Sequence, residues 1–346
     1  MTPTQILPKL LALLALVVGI AAGCSGSTSD GAAPTTTAPA TVTAAPDGGA
    51  PAPPAEVPAD PSEGCGTEPD VAAIGDDRPG DVALTFDADG TERVYRLAVP
   101  ADYDPDVAAP LVLNLHGAGS NALQASVYGD VPRAATERGM LVAAPEGIDG
   151  RWELAGEGAD ADFLAGLVDD LEGRYCVDRA RIHIIGMSLG AWKAAVTACA
   201  LGERVASIAL VTVEVFPGTC APMPVIAFHG TADVVAPYGE GATVEPPPGG
   251  PNQGISGAVD NVAAWADSNG CDLEPETTEI GDDVELRSYV GCDTGEGPGA
   301  ELYTVIGGGH TWPGSDIAIG EGRATTQTID ATALSLDWFE AHPRPS

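Results

Sequence analysis

The sequence predicts an α/β fold: a mostly parallel sheet with helices on both faces and an antiparallel hairpin at its N-terminal end. Three observations carry this. Short apolar runs alternate with segments of helical composition between residues 111 and 339. Two period-two segments, Val82–Phe86 and Arg93–Val99, flank Asp87-Ala88-Asp89-Gly90 and read as a hairpin. Residues 181–193, Arg-Ile-His-Ile-Ile-Gly-Met-Ser-Leu-Gly-Ala-Trp-Lys, run from a β-branched strand through G-x-S-x-G into an Ala-rich helix.

Ahead of the fold, Leu10 to Ala22 form an apolar run behind Lys9. A bilayer-spanning helix needs ~20 apolar residues, so this shorter run reads as the core of a signal peptide over residues 1–23. It ends in Ala21-Ala22-Gly23-Cys24-Ser25, small residues before a cysteine as in a bacterial lipobox, with Ala21 where Leu is usual. Lipidation of Cys24 would tether the chain to the outer face of a membrane, and that anchor is the only membrane contact expected. Plain secretion is the alternative. Residues 24–64 are Ala, Pro, Thr, Gly and Ser with few large apolar side chains, and read as a disordered spacer. The folded α/β domain is expected from Cys65 to Ser346.

Within that domain, Leu111–Leu115 reads as a buried strand ending in His116-Gly117-Ala118-Gly119, Val127–Arg138 as a helix, and Leu141–Ala144 as a second buried strand. Ala161–Tyr175 has Phe163, Leu164, Leu167, Val168 and Leu171 at amphipathic-helix spacing. After the Ile182–Ile185 strand and its helix come strands Val205–Val215 and Val225–Phe228, helix Val259–Asp267, strand Leu302–Ile306 and helix Thr328–Phe339. Residues 239–257 are a Gly/Pro-rich loop following a strand end, a position from which a loop can border a substrate cleft.

Besides Cys24, six cysteines are present: Cys65, Cys176, Cys199, Cys220, Cys271 and Cys292. An even number in an exported chain implies three disulfides. Cys271 and Cys292 bracket a short acidic, strand-like segment and are expected to pair. The other four stay open, with Cys199–Cys220 the preferred pair. No C-x-x-C spacing exists, and no metal is expected. The net charge is −35, and the only lysine after the signal is Lys193. Such a surface repels nucleic acid and is otherwise that of a well-solvated protein.

The G-x-S-x-G turn in this setting is a nucleophile elbow, which exposes Ser188 at the C-terminal edge of the sheet. An ordinary strand-to-helix turn capped by Ser188 would share the pentapeptide, so the partners decide. A serine hydroxyl needs a base, and the base needs an orienting acid. Phe228-His229-Gly230-Thr231-Ala232-Asp233 puts Asp233 just after a strand, in a turn that releases its carboxylate. Glu214, also near a strand end, is the competing acid. Of five histidines, only His310 follows the acid within a post-strand loop. His183 lies in a strand and is expected to be packed, His342 is expected in a solvated tail, and His229 is too close to the acid to be the base and is expected to buttress its loop. The order Ser188, Asp233, His310 is that of the α/β-hydrolase fold. Oxyanion donors are expected from the backbone N–H groups of Leu189 and Ala118. This chemistry needs no cofactor.

Several blocks then resemble one family. They are Leu115-His116-Gly117, Asp160-Ala161-Asp162-Phe163, Tyr175-Cys176-Val177-Asp178, Gly186-Met187-Ser188, Phe228-His229-Gly230-Thr231-Ala232-Asp233, Trp265 through Asn269-Gly270-Cys271, and Gly308-Gly309-His310-Thr311-Trp312-Pro313-Gly314. Spread from about Val82 to Pro343, they resemble the polyhydroxybutyrate depolymerases, feruloyl esterases and acetylxylan esterases, most closely an actinobacterial lipoprotein branch. The resemblance implies extracellular hydrolysis of feruloyl or acetyl esters of plant polysaccharide, or of hydroxyalkanoate esters, with a small or oligomeric ester as partner. Leu189 stands where Asn or Ala is frequent, and Asp160-Ala161-Asp162 interrupts a usual pair of aspartates. Trp312, beside His310, is a candidate contact for an aromatic acyl group. A cell-surface acyltransferase with the same triad, or a non-catalytic surface binding protein, are the rival readings.

Overall fold

The computed structural model describes residues 57–68, 81–236, 238–239, 257–295, 297–317 and 325–344, all within the unit Pro53–Ser346. The signal peptide 1–23, the Cys24 lipidation site, the spacer up to residue 56 and most of the 239–257 loop lie outside the described residues.

Strands β1 (Asp81–Ala88) and β2 (Thr91–Ala98) form the expected hairpin. Its two connecting residues, Asp89 and Gly90, both have positive φ (51° and 82°), as a two-residue turn matching the strand twist requires. Next come β3 (Ala109–Leu115), β4 (Leu141–Pro145), β5 (Val177–Met187), β6 (Ser207–Val211), β7 (Val225–Gly230), β8 (Glu276–Ile280), β9 (Val284–Tyr289) and β10 (Ala300–Val305). They make one sheet in the order β1-β2-β4-β3-β5-β6-β7-β10-β9-β8. The centre, from β4 to β10, is parallel, and each end carries an antiparallel pair.

Period-two alternation along the central strands feeds two cores. Leu111, Leu113, Leu115, Ile182 and Ile184 point to one face, under α3 (Ala159–Arg174), α4 (Leu189–Leu201) and α5 (Ala258–Ser268). Val112 and Ile185 point to the other, under α2 (Val131–Thr136) and α6 (Ala331–Ala341). Helices on both faces of a largely parallel sheet are the α/β-hydrolase arrangement. Asp160 at the start of α3 is buried, its carboxylate 2.7 Å from Arg93 Nη2 and accepting the N–H of Glu153 at 2.7 Å. The Arg93 guanidinium lies 4.1 Å from the centre of the Phe163 ring. One paired aspartate is enough to bind β2 to α3 in this way.

Several expectations are corrected. The helix expected over 127–138 is two helices, α1 (Ala122–Tyr128) and α2, broken at Gly129-Asp130. Asp130 has φ 52°, and Pro132 has no N–H to continue a helix from upstream but suits the first turn of a new one. The strand expected to reach Val215 ends at Val211, because Thr212 turns to φ 69° and gives its N–H to the Phe228 carbonyl at 2.8 Å. The last helix starts at Ala331 rather than Thr328, because the Asp330 side chain caps the N–H groups of Thr332 and Ala333. His342 is not in a solvated tail: its ring lies 3.9 Å from that of Trp338, and Nε2 is 3.1 Å from the Pro298 carbonyl. Burial holds its pKa below the usual histidine value.

Disulfides join Cys65 to Cys176, Cys199 to Cys220 and Cys271 to Cys292. Three such bonds belong to an oxidising, extracellular setting. Residues 57–64, assigned to the spacer from sequence, are instead hydrogen-bonded to the domain, with Ser62 and Gly64 buried. Ser62 is buried, giving its N–H to Val177 O at 2.9 Å and its hydroxyl to Tyr175 O at 2.8 Å, while Asp60 O accepts from Arg179 N–H at 2.8 Å.

At the β5–α4 turn, each glycine of G-x-S-x-G sits where backbone passes too close for a side chain. A Cβ on Gly186 would lie 2.4 Å from Gly190 O, and one on Gly190 would lie 2.1 Å from Leu115 O. Gly190→Ala should therefore push α4 away from β3 and disturb the loop after β3. The melting temperature should fall, against a much smaller change for alanine at Gly173, which has open space. The Cys65–Cys176 bond closes a separation of 111 residues and Cys271–Cys292 one of 21. Loop-closure entropy then predicts a loss of about 5 kcal/mol for a Cys65→Ser/Cys176→Ser pair and about 3 kcal/mol for Cys271→Ser/Cys292→Ser, read by denaturant unfolding.

Candidate active site

Ser188 occupies the sharp turn between β5 and α4 with φ 57° and ψ −120°, a strained conformation for a residue with a Cβ. The strain is held from two sides. Ser188 gives its N–H to Val211 O at 2.9 Å, and its carbonyl accepts from Trp192 N–H at 3.1 Å, the first turn of α4. The side chain is half-buried and lines a cleft of about 750 Å³.

Asp233 follows β7 through the turn Thr231-Ala232. Its Oδ2 is 2.6 Å from His310 Nδ1, and its Oδ1 accepts the N–H groups of Val235 (2.8 Å) and Ala236 (2.9 Å). Asp233 and His310 are both buried. Burial alone would raise the Asp233 pKa, but bonds from His229 and His310, and the charge of His310, outweigh it and hold the carboxyl below the usual carboxylate range.

The acid turn and the His310 loop are stapled together by backbone. Thr231 N–H reaches Val305 O (2.9 Å), Ala232 N–H reaches Gly308 O (2.8 Å), and Gly307 N–H reaches Thr231 Oγ1 (2.8 Å). Gly230 is required here, since a Cβ would lie 2.2 Å from Gly308 O. The parallel pairing of β7 with β10 thus delivers Asp233 and His310 to the same end of the sheet.

The stretch after β3 forms another wall. Gly117 passes Ser188 closely, a Cβ there being 3.4 Å from the Ser188 Cβ. His116 Nε2 is 2.9 Å from Gly147 N–H and must accept it, so Nδ1 carries the ring proton and donates to Gly117 O at 2.8 Å. Burial lowers the His116 pKa, consistent with a neutral ring. Because a trans peptide points its C=O and N–H in opposite directions, anchoring Gly117 O aims the Ala118 N–H the other way. Ala118, His116, Ser188 and His310 all line the cleft, and Leu189 is the first residue of α4.

Trp312 also lines the cleft but is buried. Its indole N–H donates to Thr332 Oγ1 at 2.9 Å, and its ring covers Gly129, where a Cβ would lie 2.6 Å away. Much of its surface therefore holds the α1–α2 break in place. Glu214 does not reach His310: it is buried and turned onto His229, both carboxylate oxygens 2.9 Å from His229 Nδ1. Sequence reasoning weighed these two residues separately and missed that they meet, since only the side-by-side pairing of β6 and β7 brings them together. His183 is buried, as expected, stacked on Phe339 at 4.6 Å with Nδ1 2.9 Å from Ser207 Oγ.

No protein-family profile matches the chain. Among curated proteins, it is 31% identical over 226 residues to feruloyl esterase B of Piromyces equi, covering 61% of this chain but only 41% of that protein. It is 30% identical over 252 residues to the putative esterase NocK of Nocardia uniformis subsp. tsuyamanensis, covering 65% of this chain and 72% of that protein. Among solved structures, acetyl xylan esterase from Aspergillus awamori superposes with a TM-score of 0.53 over 75% of this chain and 98% of that one, at 15% identity, a likeness of fold. Identity at this level to NocK over most of its length, on an α/β-hydrolase fold, means that the chain belongs to the esterase family, a family of carboxylic ester hydrolases, that includes NocK and the feruloyl esterases.

Proposed function

We propose that the protein is an exported serine esterase in which Ser188 attacks the carbonyl of a carboxylic ester. The observation that carries the reading is the 2.6 Å bond between Asp233 and His310 at the edge of the cleft that Ser188 lines. His310, with Nδ1 committed to Asp233, offers Nε2 to take the serine proton and later return it to the leaving alcohol. Asp233 stays ionised and stabilises the imidazolium form. The N–H groups of Leu189 and Ala118 bind the oxyanion, a contribution of ~3 kcal/mol per donor. Water then releases the acid from the acyl-enzyme.

The substrates we assign are feruloyl or acetyl esters of plant polysaccharide, or hydroxyalkanoate esters. The names of the relatives support the first two. The cleft supports a neutral acyl group: its described lining includes Leu115, Leu123, Val127, Tyr128, Met187 and Ile317 and no Lys, Arg, Asp or Glu. Lipidation at Cys24 and a site outside the cell complete the proposal, with the three disulfides in support.

Hydrolysis of p-nitrophenyl acetate, methyl ferulate and a 3-hydroxybutyrate oligomer by the oxidised protein tests this. Ser188→Ala should lower kcat/KM by ~10⁴-fold or more on whichever ester is cleaved, and Asp233→Asn should lower kcat by ~10⁴-fold by releasing the wrong tautomer of His310. Equal, background-level rates for native protein and Ser188→Ala on all three would remove the proposal. An uncharged lining also predicts that p-nitrophenyl acetate outperforms the hemisuccinate ester in kcat/KM, because a carboxylate entering the cleft loses its hydration without a cation to meet it. Equal rates for the two would show that the charge of the acyl group is not sensed.

A further inference from the structure

Behind the Asp233–His310 pair lies a second pair that the proposed reaction does not use. Glu214 and His229 are each no more than 3% exposed. Glu214 is fixed by its backbone, whose carbonyl accepts the Trp265 indole N–H at 3.1 Å. The His229 ring is surrounded by acceptors. Nδ1 is 2.9 Å from both Glu214 oxygens, Nε2 is 2.8 Å from Ala236 O, and Nε2 is 3.5 Å from Asp233 Oδ2. A neutral imidazole has one N–H and one lone pair. Either neutral tautomer would therefore aim a lone pair at an oxygen, which is unfavourable in a buried site. With Glu214 ionised, only the imidazolium satisfies both nitrogens.

We propose that Glu214 and His229 are positioning residues of the reaction, a buried carboxylate–imidazolium pair that holds the Asp233 turn and cancels one of two negative charges behind His310. The inference rests on the triad reading above. The positioning is direct: Ala236 gives its N–H to Asp233 Oδ1 while its carbonyl takes the His229 Nε2–H, so the Asp233–Ala236 turn is held at both faces of one residue. The electrostatics are consistent. Burial opposes the charge on His229, but Glu214, Asp233 and the Ala236 carbonyl overcome it and push its pKa up to about 10. The other titratable groups facing the pair are His310, through Asp233, and Tyr238, whose ring lies 5.5 Å from His229 and which feels Glu285 and Arg287. With His229 cationic, Glu214, His229, Asp233 and a neutral His310 sum to one negative charge at rest, and to zero when His310 gains the serine proton. Without that cation, two carboxylates would stand behind His310 with no charge to offset either.

Two measurements on the oxidised full chain test this. The first is NMR of protein labelled with ring-¹⁵N histidine, titrated up to about pH 11. One histidine should keep both ring protons at pH 8, vanish from the spectrum of His229→Gln, and lose a proton at a midpoint lower by ~1 unit or more in Glu214→Gln. A His229 with a single ring proton at pH 7, or a midpoint unmoved in Glu214→Gln, would overturn the pair. The second is the pH profile of kcat/KM. In His229→Gln the acid limb should move up by ~0.5–1 unit, and in Glu214→Gln it should not rise. Lower rates at all pH values with the limb unmoved in both variants would reduce the pair to a structural role. If His229→Gln does not fold, Glu214→Gln still decides through the NMR midpoint. The NMR result does not depend on turnover, so failure of the esterase reading, seen as Ser188→Ala activity equal to native, is distinguishable from failure of the pair.

Discussion

A carboxylate sealed from water at the end of a parallel sheet is the constraint around which this site is built. Desolvating Asp233 by itself favours the neutral acid, which could not orient a histidine or stabilise its cation. The fold answers with donors from every side: two backbone N–H groups of its own turn, the His310 ring at 2.6 Å and the cationic His229 ring beyond. Each donor depends on a different part of the chain. The turn depends on β7, His310 on the loop after β10, and His229 on Glu214 from the segment after β6. Ionisation of one group thus ties three strand ends together.

Backbone proximity does the corresponding work on the serine side. Ser188 is kept at positive φ by a β5–α4 turn that has no room for side chains at Gly186 or Gly190. The close approach that excludes a Cβ at Gly190 is to Leu115 and His116, the residues leading into the Ala118 loop. The proposed nucleophile and the expected oxyanion donor are therefore positioned by the same contact. His116 adds to it with a ring whose proton location is dictated by Gly147. Little of this precision comes from flexible side chains; most of it is fixed by strand register and by glycines that let backbones touch.

What the sequence makes legible follows the same division. Buried strands announce themselves through apolar β-branched runs, and groups that follow such runs, such as Asp233 and His310, can be ordered along the sheet edge before any coordinates. The β8–β9 pair is legible only as an undivided strand-like segment between Cys271 and Cys292, because an edge hairpin exposed to water carries residues such as Glu276, Thr277, Thr278 and Glu279 with no apolar period. The α1–α2 break was missed because the helical spacing outweighed the signal of Gly129 and Pro132. The Glu214–His229 contact has no sequence signature at all, since fifteen residues separate the two and only lateral strand pairing joins them. Residues 57–64 look like spacer by composition, yet Ser62 and Asp60 dock through backbone hydrogen bonds that composition does not encode.

The central claim is that Ser188 is the activated nucleophile, and covalent trapping tests it most directly. The oxidised protein would be treated with an alkyl fluorophosphonate, digested and mapped by mass spectrometry. The account predicts a single stoichiometric adduct on the peptide containing Ser188, formed far more slowly when His310 is replaced by alanine. An adduct on a different serine, or none under conditions that label a known serine esterase to completion, would contradict it.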